Sequence, residues 1–327
     1  MARTVEAKEK TMRAVAIDGF GGSERLKIQN VPVPEVADDE VLIRVNTAGV
    51  GQWDPFEREG GFVEYVEGEP NFPYVLGSEG SGTIAQVGSN VERFKEGDEV
   101  YASSFLNPKG GFYSESAVVK ADLVSHIPGG LTMQQAGVFS GDALTGLRGL
   151  DDTLKLKKGE TVLIFGASGG IGHIAVQLAK RMGARVFAVA SGADGVELVK
   201  RLGADSSADG RDEGVLNAAR EFAPNGLDAA LLTAGGAAAD RALSAVKTDG
   251  RVAYPNGVMP EPKPPHDMDI KAYDGDPQRE IIERVNKLVE AGSFEVHIHK
   301  TFTLDQVVRA HEALEEHHLG KIALQVG

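Results

Sequence analysis

The chain has 327 residues and no cysteine, which excludes disulfide bonds, thiolate metal clusters and a cysteine nucleophile. Its 34 basic and 48 acidic side chains leave a net charge of −14, which argues against nucleic acid or an anionic membrane as a partner, because both need a concentrated basic surface. The length indicates about two domains. No stretch is apolar enough to span a membrane, and no secretory signal is evident, so we expect a cytoplasmic protein.

The first part of the chain favours β-structure. Apolar and polar residues alternate over 41–46, and short apolar runs follow at 83–87, 99–102 and 116–119. Glycine-rich turns separate these runs. Many short strands joined by such turns are typical of a small barrel or sandwich.

From about residue 130, strand and helix patterns alternate. The predicted buried strands are 161–165, 185–190, 229–232 and 251–254, and the best-defined helix is 170–182. This alternation predicts an α/β fold with a doubly wound parallel sheet. Residues 258–277 are interpreted as a long surface connection, followed by a helix at 279–291, a strand at 294–301, a helix at 304–316 and a strand at 321–326.

The turn after the strand 161–165 carries the strongest chemical signal. It consists of Gly166, Ala167, Ser168, Gly169, Gly170, Ile171 and Gly172, a variant of the G-x-G-x-x-G pattern between an apolar strand and an amphipathic helix. Glycine allows the backbone to approach a pyrophosphate, and the helix N-terminus attracts its charge. The turn therefore predicts a dinucleotide-binding site.

The end of the next strand bears on the choice of dinucleotide. An NAD-selective site places a carboxylate there for the ribose 2′-hydroxyl, but this strand ends at Ser191, which favours NADPH. Asp194 nearby points the other way. Arg211 is a candidate partner for the 2′-phosphate, with a solvated surface arginine as the alternative.

Several motifs extend over most of the chain: residues 34–49, the segment 76–82, the segment 91–100, residues 141–146 with Thr145, the glycine turn and residues 320–324. Together they resemble the medium-chain dehydrogenase/reductase superfamily. The resemblance implies a GroES-like β-barrel of residues 1–142 and 294–327 with a Rossmann domain of residues 143–293 between them. It also implies a homodimer, with a Rossmann-edge strand near 251–257 and the segment after it as the interface.

Zinc-dependent members of this superfamily hold their metal at positions that correspond here to Gly51, Ser78 and Gly141. Since all three ligands are replaced, we expect no metal, and the chain resembles the zinc-free quinone oxidoreductase branch, similar to zeta-crystallin. This branch implies cofactor contacts from Thr145 and from loops near Thr233 and Asn256.

The resemblance also implies a substrate pocket walled by Trp53, Phe56, Arg58 and Phe62, with Asp54 beside it. Trp53 and Phe56 could stack on a planar acceptor, or they could serve ordinary packing between domains. Asp54 is either a pocket carboxylate or a turn cap. The acidic run 57–69 is interpreted as a solvated loop at the pocket mouth.

The histidines give a weak signal. His297 and His299 share a strand face but lack a third ligand, so surface or interface positions are expected. His173 in the Rossmann helix is expected at the helix surface rather than at the cofactor.

The resulting hypothesis is a zinc-independent oxidoreductase that transfers hydride from NADPH to a small-molecule quinone or α,β-unsaturated carbonyl, whose carbonyl delocalises the incoming charge. A reductase of enoyl-thioester or alkenal double bonds is the near alternative. A structural or regulatory NADPH-binding protein without turnover is the alternative of a different class.

Overall fold

A computed structural model describes residues 10–65, 71–266 and 268–327. The strands are β1 (Thr11–Ile17), β2 (Lys27–Pro32), β3 (Glu40–Val50), β4 (Tyr74–Val75), β5 (Glu79–Val87), β6 (Glu99–Ser103), β7 (Ser116–Lys120), β8 (Val124–His126), β9 (Thr161–Phe165), β10 (Arg185–Ala190), β11 (Ser206–Asp209), β12 (Leu227–Leu232), β13 (Val246–Pro255), β14 (Asp269–Tyr273), β15 (Ile298–Thr303) and β16 (Lys321–Gln325). The helices are α1 (Trp53–Arg58), α2 (Met133–Ala136), α3 (Ser140–Leu147), α4 (Gly170–Arg181), α5 (Gly192–Arg201), α6 (Val215–Phe222), α7 (Ala237–Ala242), α8 (Arg279–Glu290) and α9 (Val307–Glu312). Shorter helical turns lie at Ser23–Arg25, Val63–Tyr65, Ala121–Leu123, Leu243–Ala245 and Leu304–Gln306, and Arg148–Thr153 is a π-helical segment.

The second part of the chain forms the predicted doubly wound parallel sheet. Its strand order is β11-β10-β9-β12-β13-β14, and every neighbouring pair is parallel. Strand β9 lies at the centre and is buried along its whole length. Its carboxyl end therefore opens at the point where the chain order reverses, which is where ligands bind in such sheets.

The first part forms mainly antiparallel sheets. Seven strands join in one sheet, in the order β15-β16-β3-β5-β6-β8 with β7 also paired to β3. A second sheet has the order β2-β1-β4. Strands β15 and β16 come from the C-terminal part of the chain, and β16 pairs with β3 antiparallel.

The two parts share a hydrophobic core. Phe139 and Phe294 pack edge to face at 5.9 Å, and both belong to the same buried cluster as Val162 of β9 and Ile174 of α4. The predicted domain boundaries remain an expectation, and helix α3 runs continuously across residues 142 and 143.

Three expectations for the C-terminal half are wrong. The connection 258–277 contains strand β14, which pairs with β13. The strand 251–257 is therefore paired on both sides, by β12 and β14, and is not the sheet edge. The helix expected at 304–316 ends at Glu312 and begins with a short turn at Leu304–Gln306, and the preceding strand starts at Ile298.

Within the described ranges, no helix combines the length and the apolar character that crossing a lipid bilayer requires.

Candidate active site

The glycine turn between β9 and α4 is open where a phosphate would lie. Gly166 has a φ of +77°, and a Cβ on Gly172 would lie 2.2 Å from the Gly166 carbonyl oxygen, so both positions require glycine. A Cβ on Gly169 would meet only that same oxygen, at 3.4 Å. The first amides of α4 have no partner within the helix. The turn thus fits a pyrophosphate over Gly169.

Thr233 supports this turn from the next strand. Its hydroxyl donates to the carbonyl oxygen of Phe165 at 2.9 Å, and it lies against Gly166. Thr145 in α3 donates its hydroxyl to the Gly141 carbonyl at 2.8 Å, and Asn256 is exposed and donates to Asp274 at 2.7 Å. These three predicted cofactor residues therefore have internal partners, and Thr233 contacts the glycine turn.

His173 is buried, so the expectation of a helix-surface position is wrong. Its Nδ1 donates to the Gly169 carbonyl oxygen at 2.8 Å, and its Nε2 accepts the backbone N–H of His297 at 3.2 Å. Burial lowers the pKa of His173 to about 4, so the ring is neutral at physiological pH. The side chain fixes the turn, and no sequence motif distinguishes it from a surface histidine.

Ser191 lies at the carboxyl end of β10, and Arg211 lies just beyond the carboxyl end of the neighbouring parallel strand β11. The Ser191 amide donates to the Ser168 hydroxyl at 3.3 Å. The Asp209 carboxylate accepts the amide N–H groups of Gly192 at 3.1 Å and Arg211 at 3.0 Å. A Cβ on Gly192 would lie 3.4 Å from the Arg211 guanidinium. The arginine therefore reaches the position predicted for the 2′-ribose group.

The positions that correspond to zinc ligands surround a buried lysine. Lys321 donates to Glu79 at 2.9 Å and to Asp142 at 2.6 Å. A Cβ on Gly51 would lie 3.9 Å from the Lys321 ammonium, and a Cβ on Gly141 would lie 3.5 Å from Glu79 Oε2. A thiolate holds zinc at a similar distance from its own Cβ, roughly 3–4 Å. A protein cation thus lies close to where the metal would be.

This lysine cluster connects the barrel to the glycine turn. Glu79 Oε2 accepts the Gly141 amide N–H at 2.7 Å, and burial raises the pKa of Glu79. Asp142 Oδ2 would lie 2.3 Å from a Cβ on Gly170. Lys321 lies in the sequence motif 320–324, but its role is not predictable from the sequence, because pairing across 179 and more residues leaves no local pattern.

The aromatic wall forms only in part as expected. Trp53 lies 5.3 Å from both Phe56 and Phe105, and Phe56 is 41% exposed. Phe105 in turn would contact a Cβ on Gly141. Phe62, in contrast, is buried against Phe20 and is not beside Trp53.

Helix α1 carries two buried carboxyl groups. Asp54 Oδ2 accepts the Gly51 amide N–H at 2.7 Å as a turn cap, and Glu57 Oε1 accepts the Tyr74 hydroxyl at 2.6 Å. Burial raises the pKa of Asp54 to about 8 and that of Glu57 to about 7. Glu57 is 3% exposed, so the interpretation of run 57–69 as solvated is wrong at this residue. Positions 66–69 of that run lie outside the described residues.

Several buried polar atoms around α1 have no hydrogen-bond partner within the described residues: Trp53 Nε1, Asp54 Oδ1, Glu57 Oε2, Tyr113 OH and His311 Nε2. Arg58 donates to His311 Nδ1 at 3.0 Å and to the Gly21 carbonyl at 3.0 Å, which keeps it away from the aromatic wall. Burial, together with Arg58, lowers the pKa of His311 to about 3.

In the part of the chain that the structure describes, no three His, Asp or Glu side chains converge as a metal site. A parallel sheet with an open glycine turn, joined to an antiparallel barrel that contributes an aromatic wall, defines a two-part dinucleotide-dependent oxidoreductase fold.

Comparison with known families agrees with this class. The alcohol dehydrogenase GroES-like domain matches residues 37–129, and the zinc-binding dehydrogenase family matches residues 170–273. The GroES-like part of the predicted fold is thereby confirmed.

Relatives of known name are quinone and alkenal oxidoreductases. The quinone oxidoreductase of Homo sapiens is 32% identical over 75% of this chain and 73% of its own length. The chloroplastic NADPH-dependent alkenal/one oxidoreductase of Arabidopsis thaliana is 30% identical over 96% and 80%. The quinone oxidoreductase of Pongo abelii is 36% identical, and the chain spans 58% of its length.

Solved structures give the same result. The quinone oxidoreductase from Coxiella burnetii superposes with a TM-score of 0.82 at 26% identity, over 97% of this chain and 100% of that one. A mycobacterial protein complexed with NADPH superposes with a TM-score of 0.80 at 26% identity, over 96% and 100%. The chain belongs to the quinone and alkenal oxidoreductase family within the medium-chain dehydrogenase/reductase superfamily, and it is an oxidoreductase.

Proposed function

We propose that this protein is a zinc-independent oxidoreductase that uses NADPH to reduce a quinone or an α,β-unsaturated carbonyl compound. The observation that carries the proposal is the open glycine turn at the N-terminus of α4, linked through Asp142, Lys321 and Glu79 to an aromatic wall at Trp53. The names of the human and Arabidopsis relatives support both acceptor classes.

NADPH is favoured over NADH by the end of β10. Ser191 offers no charge to repel a 2′-phosphate, and the Arg211 guanidinium lies beside Gly192. The turn residues 166–172 would hold the pyrophosphate. When bound, the cofactor supplies a hydride from its nicotinamide ring.

The acceptor would lie on the barrel side. Trp53 and the half-exposed Phe56 can stack on a planar ring, and Phe105 packs edge to face on Trp53. With a pKa of about 8, the Asp54 carboxyl group holds a proton at neutral pH. The wall therefore orients an acceptor and excludes water from one of its faces.

Zinc independence is supported by the residues themselves. Gly51 and Gly141 have no side chain, and the Lys321 ammonium lies near the place where a metal would sit. A cation would meet repulsion there. We expect dialysis against EDTA to leave the rate unchanged, and stoichiometric zinc that is lost together with activity would contradict this part of the proposal.

Steady-state NADPH oxidation tests the function directly. We expect turnover with 1,4-benzoquinone, 9,10-phenanthrenequinone or 2-enals, and the comparison among them separates quinone reduction from double-bond reduction. Cofactor binding without turnover on any of these acceptors would instead favour a structural or regulatory protein.

A substitution at Trp53 tests the acceptor wall. Trp53→Ala should lower kcat/KM for aromatic acceptors and leave NADPH affinity nearly unchanged, because it removes stacking area only from the barrel side. Phe62→Leu is the matched control, since Phe62 is buried away from Trp53. An unchanged kcat/KM in Trp53→Ala would show that the acceptor lies elsewhere.

We further propose a homodimer that forms through the edge of the parallel sheet. The edge strand is β14, which within the described residues is paired on one side only, by β13. An exposed strand edge offers backbone groups to a second strand. Sedimentation analysis should give the mass of two chains.

A further inference from the structure

The end of the cofactor site beside β10 contains a charge arrangement that involves a histidine from the other part of the chain. His317 lies between α9 and β16, and its segment is held against the glycine turn because the Gly320 amide donates to the Ser168 carbonyl at 2.8 Å. His317 Nε2 lies 3.0 Å from Asp194 Oδ2, and its Nδ1 lies 3.4 Å from Arg211 Nη2. The ring therefore bridges the carboxylate and the guanidinium next to Ser191.

In the neutral imidazole, these two contacts require different roles of the two ring nitrogens. The carboxylate can only accept, so Nε2 donates to Asp194, and the guanidinium can only donate, so Nδ1 accepts from Arg211. In this neutral state Asp194 keeps its full negative charge, and Arg211 is held on the imidazole. Both effects disfavour a 2′-phosphate beside Gly192.

Protonation of His317 reverses both effects. Nδ1 then carries a proton and can no longer accept from Arg211, and the two like charges repel each other. The guanidinium is released toward Gly192, where a Cβ would lie 3.4 Å from it. The imidazolium neutralises Asp194 at the same time. Each change favours a dianionic phosphate.

We propose that His317 couples the choice between NADPH and NADH to proton binding, by releasing Arg211 and neutralising Asp194 when the imidazole is protonated. The proposal rests on the proposed function and deepens it. Ser191 favours NADPH and Asp194 disfavours it, and in this proposal the protonation state of His317, which lies outside the parallel sheet, decides which effect is larger.

The other charged groups around His317 do not replace it in this role. Asp209 uses its carboxylate to accept the amides of Gly192 and Arg211. His318 Nδ1 contacts the Glu316 carbonyl oxygen at 2.9 Å, and its ring packs 6.1 Å from His299 of β15. Neither histidine of that pair has a hydrogen bond to Asp194 or Arg211 in the described residues.

The test uses two nucleotides that occupy only this end of the site. Titration calorimetry should compare adenosine 2′,5′-bisphosphate with 5′-AMP at about pH 6 and about pH 8. For the unmodified protein we expect the preference for the bisphosphate to increase about threefold toward pH 6, after correction for protonation of the 2′-phosphate itself, which takes place in the same range.

His317→Gln is the decisive variant, because glutamine keeps a donor and an acceptor but does not titrate. The increase should be lost in His317→Gln and retained in the matched control His318→Gln. Protonation of the 2′-phosphate itself affects the measurements on all three proteins equally, so it does not account for a difference between them. Asp194→Asn should raise the preference at pH 8.

The outcomes separate the two proposals. An unchanged pH dependence in His317→Gln, or its loss in His318→Gln, overturns the role of His317 while NADPH binding stands. Failure of the unmodified protein to bind either nucleotide overturns the cofactor assignment and this inference together.

Discussion

Asp54 is a carboxylic acid whose ionisation the folded protein opposes. It is 2% exposed, its Oδ2 caps Gly51, and burial raises its pKa from 3.8 to about 8. The folded state therefore binds a proton that the unfolded chain releases at lower pH. The associated stability is fully present below about pH 4 and is lost as the pH rises through about 8.

The stability of Asp54→Asn relative to the unmodified protein should increase as the pH rises. Asparagine keeps the carbonyl that caps Gly51 but cannot ionise. We expect the variant to lie within about 1 kcal/mol of the unmodified protein at about pH 5, and to be more stable by on the order of 2 kcal/mol at about pH 9. Urea denaturation at both values measures the difference.

The control for this change is Glu64→Gln, which removes the charge of an exposed carboxylate. Its effect should be small and similar at both values of pH. If Asp54→Asn behaves like Glu64→Gln, then Asp54 is ionised in the folded protein and the described burial does not control its titration.

Among single residues, the sequence predicted the role of those that belong to a recognisable motif. The glycine turn is recognisable because each glycine has a local reason, such as the 2.2 Å approach at Gly172. The burial of Glu57 could not be recognised, because its acidic neighbours suggest a solvated loop and its hydrogen-bond partner Tyr74 comes from β4. Long-range pairing of charged residues leaves no periodicity to read.

Gly169 and Gly172, at the start of helix α4, are close in sequence but have different roles. A side chain at Gly169 meets only one backbone oxygen at 3.4 Å, whereas a side chain at Gly172 collides with the backbone at 2.2 Å. Gly169 also has an ordinary φ of −81°. Gly169 therefore leaves space for a ligand, whereas the backbone around Gly172 leaves no space for a side chain.

Gly169→Val and Gly172→Ala should therefore fail in different ways. Gly169→Val should keep its melting temperature within a few degrees and lose NADPH binding, because its methyl groups occupy the space of the pyrophosphate. Gly172→Ala should lose stability by about 2 kcal/mol or more. Differential scanning fluorimetry and fluorescence titration distinguish the two, and NADPH affinity retained in Gly169→Val would move the phosphate site away from this turn.

Among the secondary-structure elements, the central strands of the parallel sheet were predictable from the sequence, and its edge strand β14 was not. Strands β9, β10 and β12 are buried runs, which composition reveals. In β14 only Tyr273 is buried, and the prolines of 260–265 precede it, so the segment resembles a loop. Its pairing depends on β13 and not on its own pattern.

For the whole molecule, the buried lysine cluster ties together the barrel, helix α3 and the closing strand. Lys321 from β16 meets Glu79 from β5 and Asp142 from α3, and the Lys321 and Glu79 side chains are 4% and 7% exposed. Removing one partner of a buried pair leaves an uncompensated charge, which is more costly than the pair is favourable.

Lys321→Met should destabilise the protein by about 3 kcal/mol. The double variant Lys321→Met/Glu79→Gln should recover part of this loss, because glutamine can still accept the Gly141 amide without carrying a charge. Lys180→Met is the control: Lys180 pairs with Asp205 at 2.7 Å with both side chains about one-third exposed, and we expect a loss below about 1 kcal/mol.

Chemical denaturation of the unmodified protein, Lys321→Met, Glu79→Gln and the double variant gives the coupling energy between Lys321 and Glu79. A double variant no more stable than Lys321→Met would show that the charge of Glu79 is not the cause of the loss.

The return of β15 and β16 to the first sheet has a consequence for the order in which the protein folds during synthesis. Val50 of β3 pairs with Ile322, so this edge of β3 stays unpaired until a strand some 270 residues later has been translated. All six strands of the parallel sheet leave the ribosome before that partner does. The parallel sheet can therefore assemble first, while the N-terminal strands stay incomplete and vulnerable to aggregation until the last strand arrives.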